Sequence, residues 1–245
     1  MRSFPVRKLP YLAVLIFVLA LSHPAGATIF TTPVGAVANS GSGNEAVAAS
    51  ADFELSGGTL TITLTNTLAG IHDAGQLLTD VFFTLNTGSA TLSTQTGDLV
   101  NVASDKTITD LGSSPLGWGF GSATVNSLSG FELCVICQGG PSAHPTTPTE
   151  GILGPDSGDG KYDNANPSIA GNGPHNPFIR DSAVFTLTGI APGATFGNVI
   201  FSFSTTPGVN VAAVPEPGYF GLLGLGAIAM AWAARRNARR ARVTD

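Results

Sequence analysis

The chain has 245 residues, long enough for one sizeable domain whose core needs neither a metal nor a disulfide framework. Only 11% of the residues are charged, where about 25% is usual, and the 31 glycines and 16 prolines suit a turn-rich β protein better than a helical one. Eight of the eleven Lys and Arg lie at the two ends, so residues 28 to 214 hold three basic against fourteen acidic side chains, a net charge of -11 that argues against any nucleic-acid partner.

The N-terminus has the three-part layout of a secretory signal: basic Arg2, Arg7 and Lys8, an uncharged apolar run from Tyr11 to Leu21, then small residues ending Ala25-Gly26-Ala27. Residues 1–27 are therefore expected to be a signal peptide, with the mature chain beginning at Thr28. A short buried helix is the alternative for this stretch.

From Thr28 the chain reads as strands separated by turns. Thr59 to Thr65 alternates polar and apolar residues, so that one face is buried and the other solvated. Gly57-Gly58 joins it to Asp52–Leu55 as a predicted hairpin. Further strands are expected at Val81 to Leu85, Leu99 to Ala103, Trp118 to Val125, Phe131 to Ile136, Ala183 to Thr188 and Asn198 to Ser204, with no amphipathic helix among them. The expected fold is all-β, an antiparallel β-sandwich, jelly-roll-like or immunoglobulin-like, over residues 28–204. Residues 138–178, crowded with Gly, Pro, Asn and Asp, read as one long loop, and 205–213 as a linker.

Candidate sites are sparse. Cys134 and Cys137 are the only cysteines, and export to an oxidising compartment favours a local disulfide over a free or intermolecular pair, redox catalysis, or zinc held with His144 and His175. Gly117-Trp118-Gly119-Phe120 offers either an aromatic platform to a sugar ring or core packing. Asp156, Asp159 and Asp163 put three carboxylates on a Gly-rich loop, a set of hard oxygen donors for calcium or a merely solvated stretch. The histidines that follow the signal, His72, His144 and His175, occupy no recognisable catalytic setting, so no catalytic residue is named.

The C-terminus divides into three parts. Val214, Pro215, Glu216 and Pro217 form a stiff segment, because each proline fixes its own φ and restricts the residue before it. An extended, exposed segment is what a protease grips. Gly218 to Ala234 is uncharged and mostly Gly, Ala and Leu; as a helix it reaches about 25 Å, slightly short of a hydrocarbon core of about 30 Å. Arg235, Arg236, Arg239, Arg240 and Arg242 then hold residues 235–245 on the cytoplasmic side and leave the acidic body outside.

This order of diproline segment, short apolar helix and arginine cluster resembles the PEP-CTERM sorting signal of Gram-negative bacteria that make extracellular polysaccharide. The likeness covers residues 214–245, with a tail after the arginines, Ala241 to Asp245, that is longer than usual. It implies that exosortase, an integral-membrane cysteine protease, recognises the diproline motif and cuts near it, so that the precursor sits briefly in the inner membrane before release or re-anchoring outside. An ordinary single-pass anchor that is never processed is the competing reading. The expected protein is exported, non-enzymatic, and associated with the cell surface or extracellular matrix, with no cofactor beyond the calcium candidate. A carbohydrate-binding or adhesive module acting in extracellular polysaccharide is the first alternative, and a secreted hydrolase the second.

Overall fold

The computed structural model describes residues 27–39, 43–86, 89–140 and 149–216, together with Ile228, Met230 and Trp232. The predicted signal peptide before Ala27, His144, Pro217, most of the predicted span and the five C-terminal arginines lie outside these residues.

The chain is all-β. In order the strands are β1 (Thr28–Thr31), β2 (Val37–Asn39), β3 (Asn44–Ala46), β4 (Ala49–Ser56), β5 (Thr59–Asn66), β6 (Leu78–Leu85), β7 (Thr91–Val102), β8 (Ile108–Pro115), β9 (Gly119–Val125) and β10 (Leu128–Cys134). There follow β11 (Ile152–Leu153), β12 (Phe178–Thr188), β13 (Phe196–Phe203), β14 (Asn210–Ala212) and β15 (Val214–Pro215). A single turn of 3-10 helix, Ala74–Gln76, precedes β6.

Alternation writes the clearest of these strands. In β5, Leu60, Ile62, Leu64 and Asn66 are fully buried, while the threonines between them are partly exposed. Asn66 extends the buried row as a polar residue because its amide is satisfied: Nδ2 donates to the carbonyls of Gln76 at 3.0 Å and Ile152 at 2.9 Å. Gly57 and Gly58, at φ 57° and 82°, make the two-residue turn from β4 to β5, a geometry with positive φ at both positions that suits the twist of the flanking strands.

Antiparallel pairing arranges the long strands in two groups. One runs β15-β1-β4-β5-β12-β7-β8 and the other β14-β13-β6-β10-β9. The two-residue β11 bridges them, parallel to β12 and antiparallel to β6, and β2 and β3 form a separate two-stranded antiparallel sheet. One hydrophobic cluster takes side chains from both groups, among them Phe53, Ile62, Phe185, Val81, Leu133 and Phe201. Phe53 of β4 reaches across to Phe83 of β6 and Phe196 of β13, with ring centroids 5.3 Å apart in each case.

Two segments add to the sequence reading. Asn210–Ala212, inside the predicted linker 205–213, pairs with β13, because Val211 and its neighbours give the sheet edge a partner. Within the predicted loop 138–178, the described residues 149–177 have irregular backbone apart from β11, and some of their side chains are buried. Leu153, Tyr162, Ala165, Ile169 and Phe178 join Ile71, Leu77, Val100 and Val102 in a second buried cluster. The scattered apolar residues lack strand periodicity, and side chains cap the irregular backbone. Ser168 Oγ accepts from Ala74 N at 2.8 Å, Asn176 Oδ1 from Val102 N at 2.8 Å, and Tyr162 Oη donates to the Gly154 carbonyl at 3.0 Å.

Candidate functional site

The segment Val214 to Glu216 is exposed and extended, and it is built into the sheet rather than free of it. Pro215 stands opposite Phe30 and Val214 opposite Thr31, while Glu216 N donates to the Ile29 carbonyl at 2.9 Å. On its other side β1 pairs with β4, and Thr32 N donates to the Ala49 carbonyl at 3.0 Å. Because successive residues of a strand turn their backbone groups to opposite edges, Ile29 and Thr31 bond towards β15, and Phe30 bonds towards β4. Pro215 thus occupies the position opposite Phe30 where β1 asks for no donor, so its missing N–H costs the ladder nothing. Two residues before Pro215, Ala213 N donates to the Val199 carbonyl at 2.8 Å, so the chain passes from the β13 edge to the β1 edge at Ala213.

Beyond Glu216 the described positions of the predicted span, Ile228, Met230 and Trp232, are helical with exposed side chains. Among the described residues no helix is long and apolar enough to cross a membrane. The family model for the PEP-CTERM protein-sorting motif matches residues 213–237. The chain carries a PEP-CTERM protein-sorting motif. No match to the chain emerges among curated proteins or solved structures. The PEP-CTERM motif begins at the Ala213 crossing, takes in the diproline segment and the apolar run, and ends after Arg235 and Arg236, leaving Arg239, Arg240 and Arg242 beyond it.

Outside the PEP-CTERM motif, Cys134 and Cys137 are joined in a disulfide at the end of β10, their Cα atoms 5.1 Å apart. The turn that follows carries a polar network that the sequence did not signal. Gln138 N donates to Glu132 Oε1 at 2.8 Å. Its side-chain Nε2 donates to Asn210 Oδ1 at 2.6 Å and Ser202 Oγ at 2.7 Å, and Asn210 Nδ2 returns a bond to Gln138 Oε1 at 2.8 Å. Beneath it Asp80 and Glu132 are wholly buried, each with one oxygen that has no hydrogen-bond partner. Burial, then the hydrogen bond to Glu132 and its charge, hold the Asp80 carboxyl well above the usual carboxylate range. The pair is sealed from any substrate, and Gly140 packs against Glu132 so closely that a Cβ there has no room. Their trace in the sequence is acidic residues inside apolar strands, Asp80 in Leu-Thr-Asp-Val-Phe-Phe and Glu132 in Phe-Glu-Leu-Cys.

Among the described residues, two trios of potential ligand atoms come within 4.8 Å of one another: Glu132, Cys134 and Cys137, whose sulfurs are committed to the disulfide, and Glu45, His72 and Asp73. Asp73 caps the 3-10 turn through Gly75 N, and Gln76 Nε2 ties the turn to the Ala46 carbonyl at 2.9 Å. Burial, then the hydrogen bond and charge of Asp73, push the Glu45 carboxyl up to about 7.

Asp156, Asp159 and Asp163 are not brought together: Asp156 Oδ2 is 2.6 Å from Arg180 Nη2, its Oδ1 accepts from Gly158 N at 2.7 Å, and Asp159 and Asp163 point to solvent. The sequence could not show that Arg180, 24 residues on, claims one carboxylate. Trp118 is also no platform. It is 3% exposed, packs on Phe185, and donates from Nε1 to the Glu150 carbonyl at 3.0 Å. His72 is exposed, and His175 Nδ1 lies 2.7 Å from the Ser168 carbonyl inside its own turn.

Proposed function

We propose that this chain is an exported protein whose acidic, sandwich-like β body is delivered to the cell surface or extracellular matrix by an exosortase-like membrane protease. The PEP-CTERM motif at residues 213–237 carries the reading, and the exposure of Val214, Pro215 and Glu216 at a sheet edge supports it. Residues 1–27 act as a secretory signal and the span at 218–234 as a transient anchor in the inner membrane. The arginines after Ala234 keep the tail cytoplasmic while the body lies outside. The two packed strand groups favour a sandwich, and no catalytic role is assigned.

The test is fractionation and intact mass of the native protein from cells with and without the protease. The expected result is a released or re-anchored product that begins at Thr28 and ends near Pro217 when the protease is present, and a membrane-bound precursor when it is absent. Recovery of an intact C-terminus through Arg235 in the presence of the protease overturns the processing.

A second reading, a carbohydrate-binding module, has one observation in its favour. Phe120 and Phe131 stack at 5.6 Å and 10° beside a shallow groove of about 450 Å³ that is also lined by Thr91, Gly121 and Ser122, with no charged residue in its wall. Binding of neutral glycans by residues 28–213, lost on Phe120→Ala, distinguishes it.

A further inference from the structure

We propose that the backbone edge of Val214 to Glu216 now paired with β1 is the edge the sorting protease binds, so that β1 is a strap the protease must displace; this rests on the processing reading above. An extended peptide is recognised through its main chain when it adds to another strand, and its side chains then supply specificity. The sorting segment has two edges. On the edge facing β1 lie the backbone groups of Val214 and Glu216, and Glu216 N is already committed to the Ile29 carbonyl. On the opposite edge the donor would come from residue 215, which is proline and has none. Across Val214 to Glu216 the segment therefore offers its donors on one edge, and β1 occupies it.

The side chains are not masked in the same way. Val214 is 45% exposed, and Pro215 and Glu216 are exposed as well, so a partner can read the residues before it wins the backbone. The strap is also short. The pairing spans two opposed residue pairs and the Glu216 bond, and Ile29, whose backbone faces β15, keeps its own side chain 38% exposed and outside the core. Only Phe30 anchors β1 inward, at 4% exposure and 5.5 Å from Phe53. Displacing the strap from β15 thus leaves the core intact.

Ile29→Pro tests this in the full-length precursor held in membranes with the protease. The substitution removes a donor and inserts a ring on the β15 side of β1 without touching the bonds to β4. The carbonyl of residue 29 remains, but the ring forces the strands apart there, so hydrogen exchange at the Glu216 amide is expected to accelerate about five- to tenfold, the factor carried by roughly one backbone hydrogen bond, while the β5 amides stay protected. Processing is expected to accelerate by a similar factor. The reverse variant, Thr31→Cys with Val214→Cys, is expected to slow processing when oxidised and to recover on reduction, each compared with Val214→Cys alone. Processing of wild type with no change or a decrease for Ile29→Pro overturns the strap and leaves the sorting reading standing. A wild-type precursor never cut by the protease overturns both.

Discussion

Asp80 and Glu132, both wholly buried, are held by one residue: Gln138 N donates to Glu132 Oε1 at 2.8 Å and its Nε2 to Asp80 Oδ2 at 3.2 Å, with the Cys134–Cys137 disulfide at their side. Burial and the neighbouring carboxyl both disfavour the charged form of Asp80. Asp80 binds its proton more tightly folded than unfolded, where its value is near 3.8, so its contribution to stability is full below that value and lost as pH rises through the folded one. Asp80→Asn keeps a donor to Glu132 and an acceptor for Gln138 without the titration. Thermal melts from pH 4 to 9 should show the wild type losing stability towards alkaline pH and the variant losing less. A gain of about 1 kcal/mol at the high end corresponds to about 2–4 °C.

A similar dependence, in a milder range, belongs to Glu45. Its carboxyl, held up to about 7 against 4.5 when unfolded, takes up a proton on folding between those values, so stability falls as pH rises from about 4.5 to 7. Glu45→Gln should flatten the melting temperature over that window and leave the dependence due to Asp80 in place.

Phe53 joins the two strand groups through Phe83 and Phe196 and has no exposed surface. Phe53→Ala should cost about 3–5 kcal/mol, the range for emptying a buried aromatic site, measured by urea denaturation. The exposed Val184→Ala is the comparison and should change stability by about 0.5 kcal/mol or less.

Asp156 spends one oxygen on Arg180 and the other on Gly158 N. Asp156→Ala should destabilise by about 1 kcal/mol, since the carboxylate is largely covered but the Arg180 side chain remains 36% exposed. Millimolar calcium should leave the melting temperature of the wild type unchanged.

The sequence was most legible where chemistry is local. The alternation of β5, the paired glycines before it and the three-part C-terminus each carry their meaning within a few residues. Pairing between distant segments left no such mark. Nothing in Thr28–Thr31 announces that it will lie between β4 and the sorting segment, and Asn210–Ala212, three residues long, is too short for a periodicity. The buried cluster within residues 149–178 left no sign because packing there depends on single side chains, Tyr162, Ile169 and Phe178, held by Asn and Ser caps rather than by a strand pattern. The buried carboxyls were hidden for the opposite reason. Acidic residues in an apolar strand read as solvent-facing, and only the covering turn at Gln138 turns that face inward.

Phe30 and Pro215 stand opposite each other although they lie near opposite ends of the described chain. A polypeptide that emerges from a translocation pore in one direction cannot lay down this outermost rung until its final stretch before the apolar tail has arrived. Pairings between such remote residues form slowly. The rung that covers the sorting segment is thus one that waits for the end of the chain.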